Sequence, residues 1–278
     1  MRLVKQLAAV AVVALIGSQA VAAAHWNTPL TLVLGAATAV LSVFAYAWIV
    51  RRTERRDPVE VSRKGALGAL SRGLLVGVGM FLAVIVNIAF LGDYTVVGWG
   101  SAAGAVALFG FTAGAAVTEE LIFRGILFRI VEGRFGTWLS LVLTSLLFGL
   151  SHLFNPHATI WSALAIAIEA GGMLAAAYAA TRNLWVPIGL HFGWNFAEGA
   201  IFGTDVSGKS APEGLLHGAL SGPTALSGGE FGPEASVYTL VAGVLLTVAF
   251  MWLARRRGHV VPLRKRAVPA PANATLVA

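Results

Sequence analysis

Long apolar runs, separated by short basic or glycine-rich stretches, organise this chain. Runs with few or no charges cover residues 6–24, 28–50, 73–91, 101–131, 138–154, 159–181, 184–202 and 237–254. A helix needs about 20 such residues to cross roughly 30 Å of hydrocarbon, and most of these runs have that length. The run 101–131 is longer and carries Glu119, Glu120 and Arg124, yet no proline interrupts it. Helix is therefore expected through these charges, ending at Gly133, with the next element starting near Trp138. The pattern predicts an all-α polytopic membrane protein of about eight transmembrane helices.

Residues 1–24 also have the layout of a signal peptide: a basic start, an apolar stretch and a small-residue end. Cleavage there would leave seven helices. Residues 28–254 read as one integral membrane domain. Within it, the loop 203–236 holds eight glycines and three prolines and reads as an external cap or flexible loop. Residues 255–278 form a basic, then Ala/Pro-rich tail, expected to be disordered beyond Arg266.

Composition agrees with a lipid-facing surface. Of 278 residues 57% are hydrophobic and 12% charged, against roughly a quarter charged in a soluble domain. The net charge of +7 would suggest nucleic acid in a soluble protein. Here 18 of the 20 Lys and Arg residues fall on one side of the eight-helix arrangement: before the first run, within 51–72, at 129 and 134, at 182 and after 254. The positive-inside rule makes that side cytoplasmic, with both chain ends there. The surplus reports membrane topology, and nucleic acid is not expected as a partner. Arg124 and Lys209 are the two exceptions. With no cysteine, disulfides, thiolate metal sites and cysteine nucleophiles are excluded.

Ionisable groups at membrane depth mark function. They are Glu119, Glu120, Arg124, His152, Glu169, His191 and Glu198, joined by Asn195. Helical spacing puts Glu120 with Arg124, Phe148 with His152, and His191 with Asn195 on common faces. Counted from the basic end, Glu119 lies about 18 Å deep, His152 about 21 Å, and His191 and Asn195 about 10 and 16 Å. Three separate segments thus bring a carboxylate, two imidazoles and a carboxamide to one layer. Glutamate and histidine there can take a proton from water. A histidine and an asparagine one turn apart can donate to an oxyanion. The same donors Glu119, His152 and His191 also suit a divalent metal such as zinc, and the residues do not separate these routes. Glu169 stands alone in an apolar helix and is expected beside the same cavity. Phe148 is expected to pack around it.

The sequences Glu119-Glu120-Leu-Ile-Phe-Arg124, Phe148-Gly-Leu-Ser-His152 and His191-Phe-Gly-Trp-Asn195 resemble the three ordered motifs of the type II CAAX prenyl protease and bacteriocin-processing family, abbreviated CPBP or Abi. The resemblance spans about residues 70–203. It implies an eight-helix intramembrane protease of a group commonly labelled metalloproteases. By position it implies that Glu119 activates water with help from His152. It further implies that His191 and Asn195 stabilise the oxyanion, and that Glu120 and Arg124 form a structural ion pair. The implied substrate is a membrane-associated peptide or protein; the simple loops and Ala/Gly usage point to a bacterial plasma membrane as the location. Two other classes share the residues: a noncatalytic scaffold or bacteriocin-immunity protein, and a small-solute or proton-coupled transporter. The substrate, the cleaved bond and the oligomeric state are not written in the sequence.

Overall fold

A computed structural model describes residues 1–263; the tail expected to be disordered beyond Arg266 lies outside them. The chain is largely helical. Helices α1 (Arg2–Ala23), α2 (Thr28–Glu54) and α3 (Ala66–Phe90) come first. Helix α4 (Ala102–Glu120) runs through a π-helical stretch, Leu121–Phe128, into α5 (Arg129–Ser151). Helix α6 (Ile160–Ile166) passes through a second π-helical stretch, Ala167–Gly172, into α7 (Met173–Thr181). Helix α8 (Trp185–Asn195) ends in a third, Phe196–Ile201. A short α9 (Thr224–Ser227) precedes α10 (Val237–Arg256).

Six helices among the described residues are long and apolar enough to cross a membrane, where seven or eight were expected. The difference has two sources. Ala102–Phe154 is one helical run of 53 residues containing two of the expected segments. The α8 helix and its π-helical end have 11 and 6 residues, short for a span.

The 53-residue run is not straight. A straight helix would hold residues 124 and 148 about 36 Å apart. Instead the Arg124 guanidinium lies 4.5 Å from the centre of the Phe148 ring, and the Phe123 and Phe148 rings are 4.9 Å apart. The chain doubles back at Gly136, whose backbone (φ 72°, ψ 170°) is non-helical. The expected end at Gly133 is thus three residues early; Gly133 meets open space, while Gly136 occupies the strained position. A side chain at Gly136 would also meet the backbone of Val261 and Pro262 at 2.8 Å. Those residues close the turn: the Thr137 amide donates to the Val261 carbonyl (2.9 Å) and the Val261 amide to the Thr137 hydroxyl (2.8 Å).

The all-α expectation needs one correction. Strands β1 (Tyr94–Trp99) and β2 (Leu216–Leu220) pair antiparallel, with an irregularity between Val96 and Gly98. Tyr94-Thr-Val-Val is β-prone and too short to span a bilayer. Its pairing ties the loop 203–236 into the fold.

Helices α3 and α8 touch backbone to backbone. Gly73 and Gly77 face Gly189 and Gly193, so each helix offers a small-xxx-small stripe. A methyl group added at Gly73 or Gly77 would stand 2.1 Å from the Val186 or Leu190 carbonyl oxygen. At Gly189 and Gly193 it would stand 2.1 and 2.5 Å from the Leu70 and Leu74 carbonyls. His191 sits between the two α8 glycines, so this contact sets its position.

At the far end the basic residues gather. Arg129 donates to Glu54 (2.7 Å) and Gln6 (3.1 Å), and Arg56 to Glu54 (2.7 Å) and Glu60 (2.7 Å). Tyr46 bonds to the same Glu60, and Arg182 pairs with Glu132. Arg56, Arg129 and Arg182, three of the cations expected on one face, thus share one end of the bundle.

Gly77→Ala and Gly193→Ala are each expected to destabilise the protein by about 1–3 kcal/mol. Gly79→Ala, also on α3 but facing open space, is expected to be neutral. Thermal melts of the three variants in one detergent check the contrast.

Candidate functional site

Four side chains from three segments line one cavity of about 400 Å³: Glu119 of α4, His152 after α5, and His191 and Asn195 of α8. These are the four residues that the spacing placed in one layer. The cavity lies toward the loop 203–236, away from the arginine-rich end, with Ser207 and Lys209 of that loop on its wall.

The scaffold behind it is a buried charge chain. Arg124 donates to Glu120 Oε1 at 2.7 Å, and both side chains are almost completely buried. The second Arg124 nitrogen donates to the carbonyls of Ala170 (3.1 Å) and Gly171 (3.3 Å), reaching across to the second π-helical stretch. His191 Nδ1 lies 3.0 Å from the same Glu120 oxygen. With that nitrogen turned to Glu120, Nε2 is the one left toward Glu119, at 4.0 Å from its Oε2. The Glu119 side chain keeps 30% of its surface exposed, although its Oε2 is buried with no hydrogen-bond partner. It is thus the accessible carboxylate of the pair, and Glu120 the enclosed one.

His152 is held by its own helix. Its Nδ1 lies 2.8 Å from the Phe148 carbonyl, one turn back. A proton on Nδ1 satisfies that carbonyl and leaves Nε2 as a free acceptor. The buried Phe148 ring packs against the His152 ring (4.8 Å), the His191 ring (6.2 Å) and the Arg124 guanidinium (4.5 Å). It therefore spaces the two histidines and covers the arginine, as packing around the pocket requires.

Glu169 lies in the second π-helical stretch, 2% exposed, with Oε1 unpartnered. With His152, His191 and Asn195 it borders a small inner pocket of about 20 Å³, room for about one water. Two further carboxylates stand nearby that the spacing argument did not bring to the site. Glu198 is fully buried and accepts from Trp194 Nε1 (2.9 Å); its position one turn from Asn195 was the signal. Glu234, in the glycine-rich loop, is 3% exposed, accepts from Ser207 (2.7 Å) and borders the inner pocket. Burial pushes its carboxyl above the usual range, against the pull of Ser207 and the two histidines. No sequence signal distinguished it from a solvated loop acid.

A second cavity of about 500 Å³, between α1, α2 and α4, shares Phe111, Ala115, Glu119 and Lys209 with the first. Glu119 is therefore bordered from the side of the helices as well as from the loop. As for a metal, no three His, Asp or Glu side chains are grouped to hold one among the described residues. The expected donors Glu119, His152 and His191 therefore do not form such a group, although both histidines, engaged through Nδ1, keep Nε2 free.

Residues 100–197, which contain all three motifs, match the family described as type II CAAX prenyl endopeptidase Rce1-like. The chain carries a domain of this family. No curated protein and no solved structure matches the chain. In this CAAX-type domain the motif residues occupy the cavity wall and its support: Glu119, His152, His191 and Asn195 face the space, while Glu120, Arg124 and Phe148 hold them.

Arg124→Leu is expected to lower stability by roughly 3–5 kcal/mol, because it leaves Glu120 buried without its cation. Combining it with Glu120→Gln should recover part of that loss. Thermal unfolding of the two single variants and the double variant measures the coupling.

Proposed function

We propose that the protein is an intramembrane endopeptidase that hydrolyses a peptide bond of a membrane-associated protein or peptide. The observation that carries this reading is the single cavity lined by all four motif side chains of a CAAX-type domain. Water held between the exposed edge of Glu119 and the free Nε2 of His152 loses a proton to this pair as it attacks the carbonyl carbon. The oxygen that becomes negative takes hydrogen bonds from the Asn195 carboxamide and from His191 Nε2. Because Glu120 accepts from Nδ1 of the same ring, donation from Nε2 belongs to the imidazolium. On collapse of the tetrahedral intermediate, the proton taken from water passes to the departing amine, and both products leave neutral in the balance.

The membrane arrangement belongs to the same reading. The two legs of Ala102–Phe154 and the helix Trp185–Ile201 join α1, α2, α3, the α6–α7 unit and α10 as eight crossings, with residues 1–24 retained as α1. The arginine-rich end is cytoplasmic by the positive-inside rule. Substrate then reaches Glu119 from within the bilayer, through the cavity shared by α1, α2 and α4, or from the opposite side.

Glu119→Gln and His152→Ala are each expected to lower the cleavage rate by about 10²–10⁴-fold, and Asn195→Ala by about 10²–10³-fold, with melting temperatures close to wild type. The measurement is cleavage of membrane-anchored peptide libraries by purified protein in liposomes, read by mass spectrometry of new termini. Equal cleavage by wild type and Glu119→Gln would overturn the mechanism.

A further inference from the structure

One large cavity does not touch the candidate site. It is a groove of about 810 Å³ at the arginine-rich end, between α2, the segment 57–66 and the start of α8. One wall is the α2 face formed by Val40, Val43, Phe44 and Ala47. Two of these, Val40 and Phe44, are more than half exposed. From Val40 to Arg51 the groove follows α2 for about 16 Å. That is half the roughly 30 Å hydrocarbon thickness, the depth one leaflet offers to an acyl chain.

The polar end of the groove is built from one cation on α2 and one on a fixed loop. Arg51 and Arg63 line it, with Asp57 as the one carboxylate. Asp57 contacts Arg51 at 3.3 Å, and both are well exposed. Arg63 has no ion-pair partner among the described residues. The loop that carries Arg63 is pinned from two sides. Trp185 Nε1 donates to the Ser62 carbonyl (2.9 Å), and the Leu184 amide donates to the Glu60 carbonyl (2.8 Å). The Glu60 side chain is in turn held by Arg56 and Tyr46. A tryptophan at the junction of an apolar wall and a cationic rim is the signature of the membrane–water interface.

We infer that this groove is a binding site for one anionic phospholipid of the arginine-rich leaflet, its phosphate held by Arg51 and Arg63 and an acyl chain laid along Val40–Ala47. Charge selects the occupant: two guanidinium groups face the head, against one carboxylate that is already engaged. Bidentate geometry also suits guanidinium to phosphate. Depth selects the tail, since the apolar wall ends where a single leaflet ends. Val117 of α4 also lines the groove, so the bound chain lies against the helix that carries Glu119. The inference does not depend on the protease reading.

Native mass spectrometry of the purified protein, titrated with phosphatidylglycerol or with phosphatidylcholine, tests it. Wild type is expected to retain one phosphatidylglycerol in preference to phosphatidylcholine. Each arginine removed should weaken that binding about fivefold, so that Arg51→Gln with Arg63→Gln weakens it on the order of 25-fold. Asp57→Asn, which removes the competing carboxylate, should strengthen it. Arg52→Gln with Arg55→Gln, at the same end but outside the groove, should leave it unchanged. Val43→Trp, which fills the apolar wall, should reduce retention of either lipid. Equal retention of the two lipids by wild type, or equal losses from the 51/63 and 52/55 pairs, would overturn the proposal.

Discussion

One carboxylate oxygen, Oε1 of Glu120, receives both the Arg124 guanidinium and the His191 imidazole. In an apolar interior an isolated charge is costly enough to be excluded, so each member of this chain needs the others. Arg124 is further satisfied by carbonyls freed at Ala170 and Gly171, where the helix widens to π geometry. The pairing fixes the relative rotation of α4, α8 and the α6–α7 unit. It also separates two neighbouring glutamates by environment: Glu120 is enclosed and engaged, whereas Glu119 faces the cavity. Identical side chains one residue apart thereby have different surroundings.

Backbone geometry delivers the remaining groups to that centre. The glycine stripes of α3 and α8 allow the main chains to touch, and His191 rides between Gly189 and Gly193. The reversal at Gly136 returns the chain so that Phe148 and His152 come beside Arg124 and Glu119. Three π-helical stretches follow Glu120, precede Met173 and follow Asn195. Such widened turns leave carbonyls without regular partners and are common at functional sites. Here one set of those carbonyls receives the arginine. Close approach, reversal and widened turns together surround one cavity.

Much of this was legible in the sequence, for physical reasons. Apolar runs gave most element boundaries within a few residues, because hydrocarbon demands continuous helix, but α3 starts at Ala66, well before the run expected from residue 73. Glu119, Glu120, Arg124, His152, Glu169, His191 and Asn195 stood out because charge is so rare among apolar neighbours. The i, i+4 spacing anticipated the Glu120–Arg124 pair. Other features depend on contacts distant in sequence and leave no local mark. Glu234 is buried because Ser207 and the inner pocket meet it, and its glycine-rich surroundings read as open loop. Strand β1 exists because residues 216–220 return to it. Gly136 rather than Gly133 breaks the helix because residues 261–262 pack there. Helix α8 needs its π-helical end, Phe196–Ile201, to approach the length of a span, a division that its continuous apolar pattern conceals.

The closure of the Gly136 turn by Val261 also orders the events of synthesis. The two residues that exchange hydrogen bonds, Thr137 and Val261, are 124 positions apart. While a ribosome is still making α6 through α10, the reversal that carries Phe148 and His152 back beside Arg124 lacks this clasp. Arg182, whose guanidinium joins Glu132 to the His259 carbonyl, waits for the same segment. The nascent chain can insert its helices one after another, but this clasp forms only after the residues beyond the last helix have emerged.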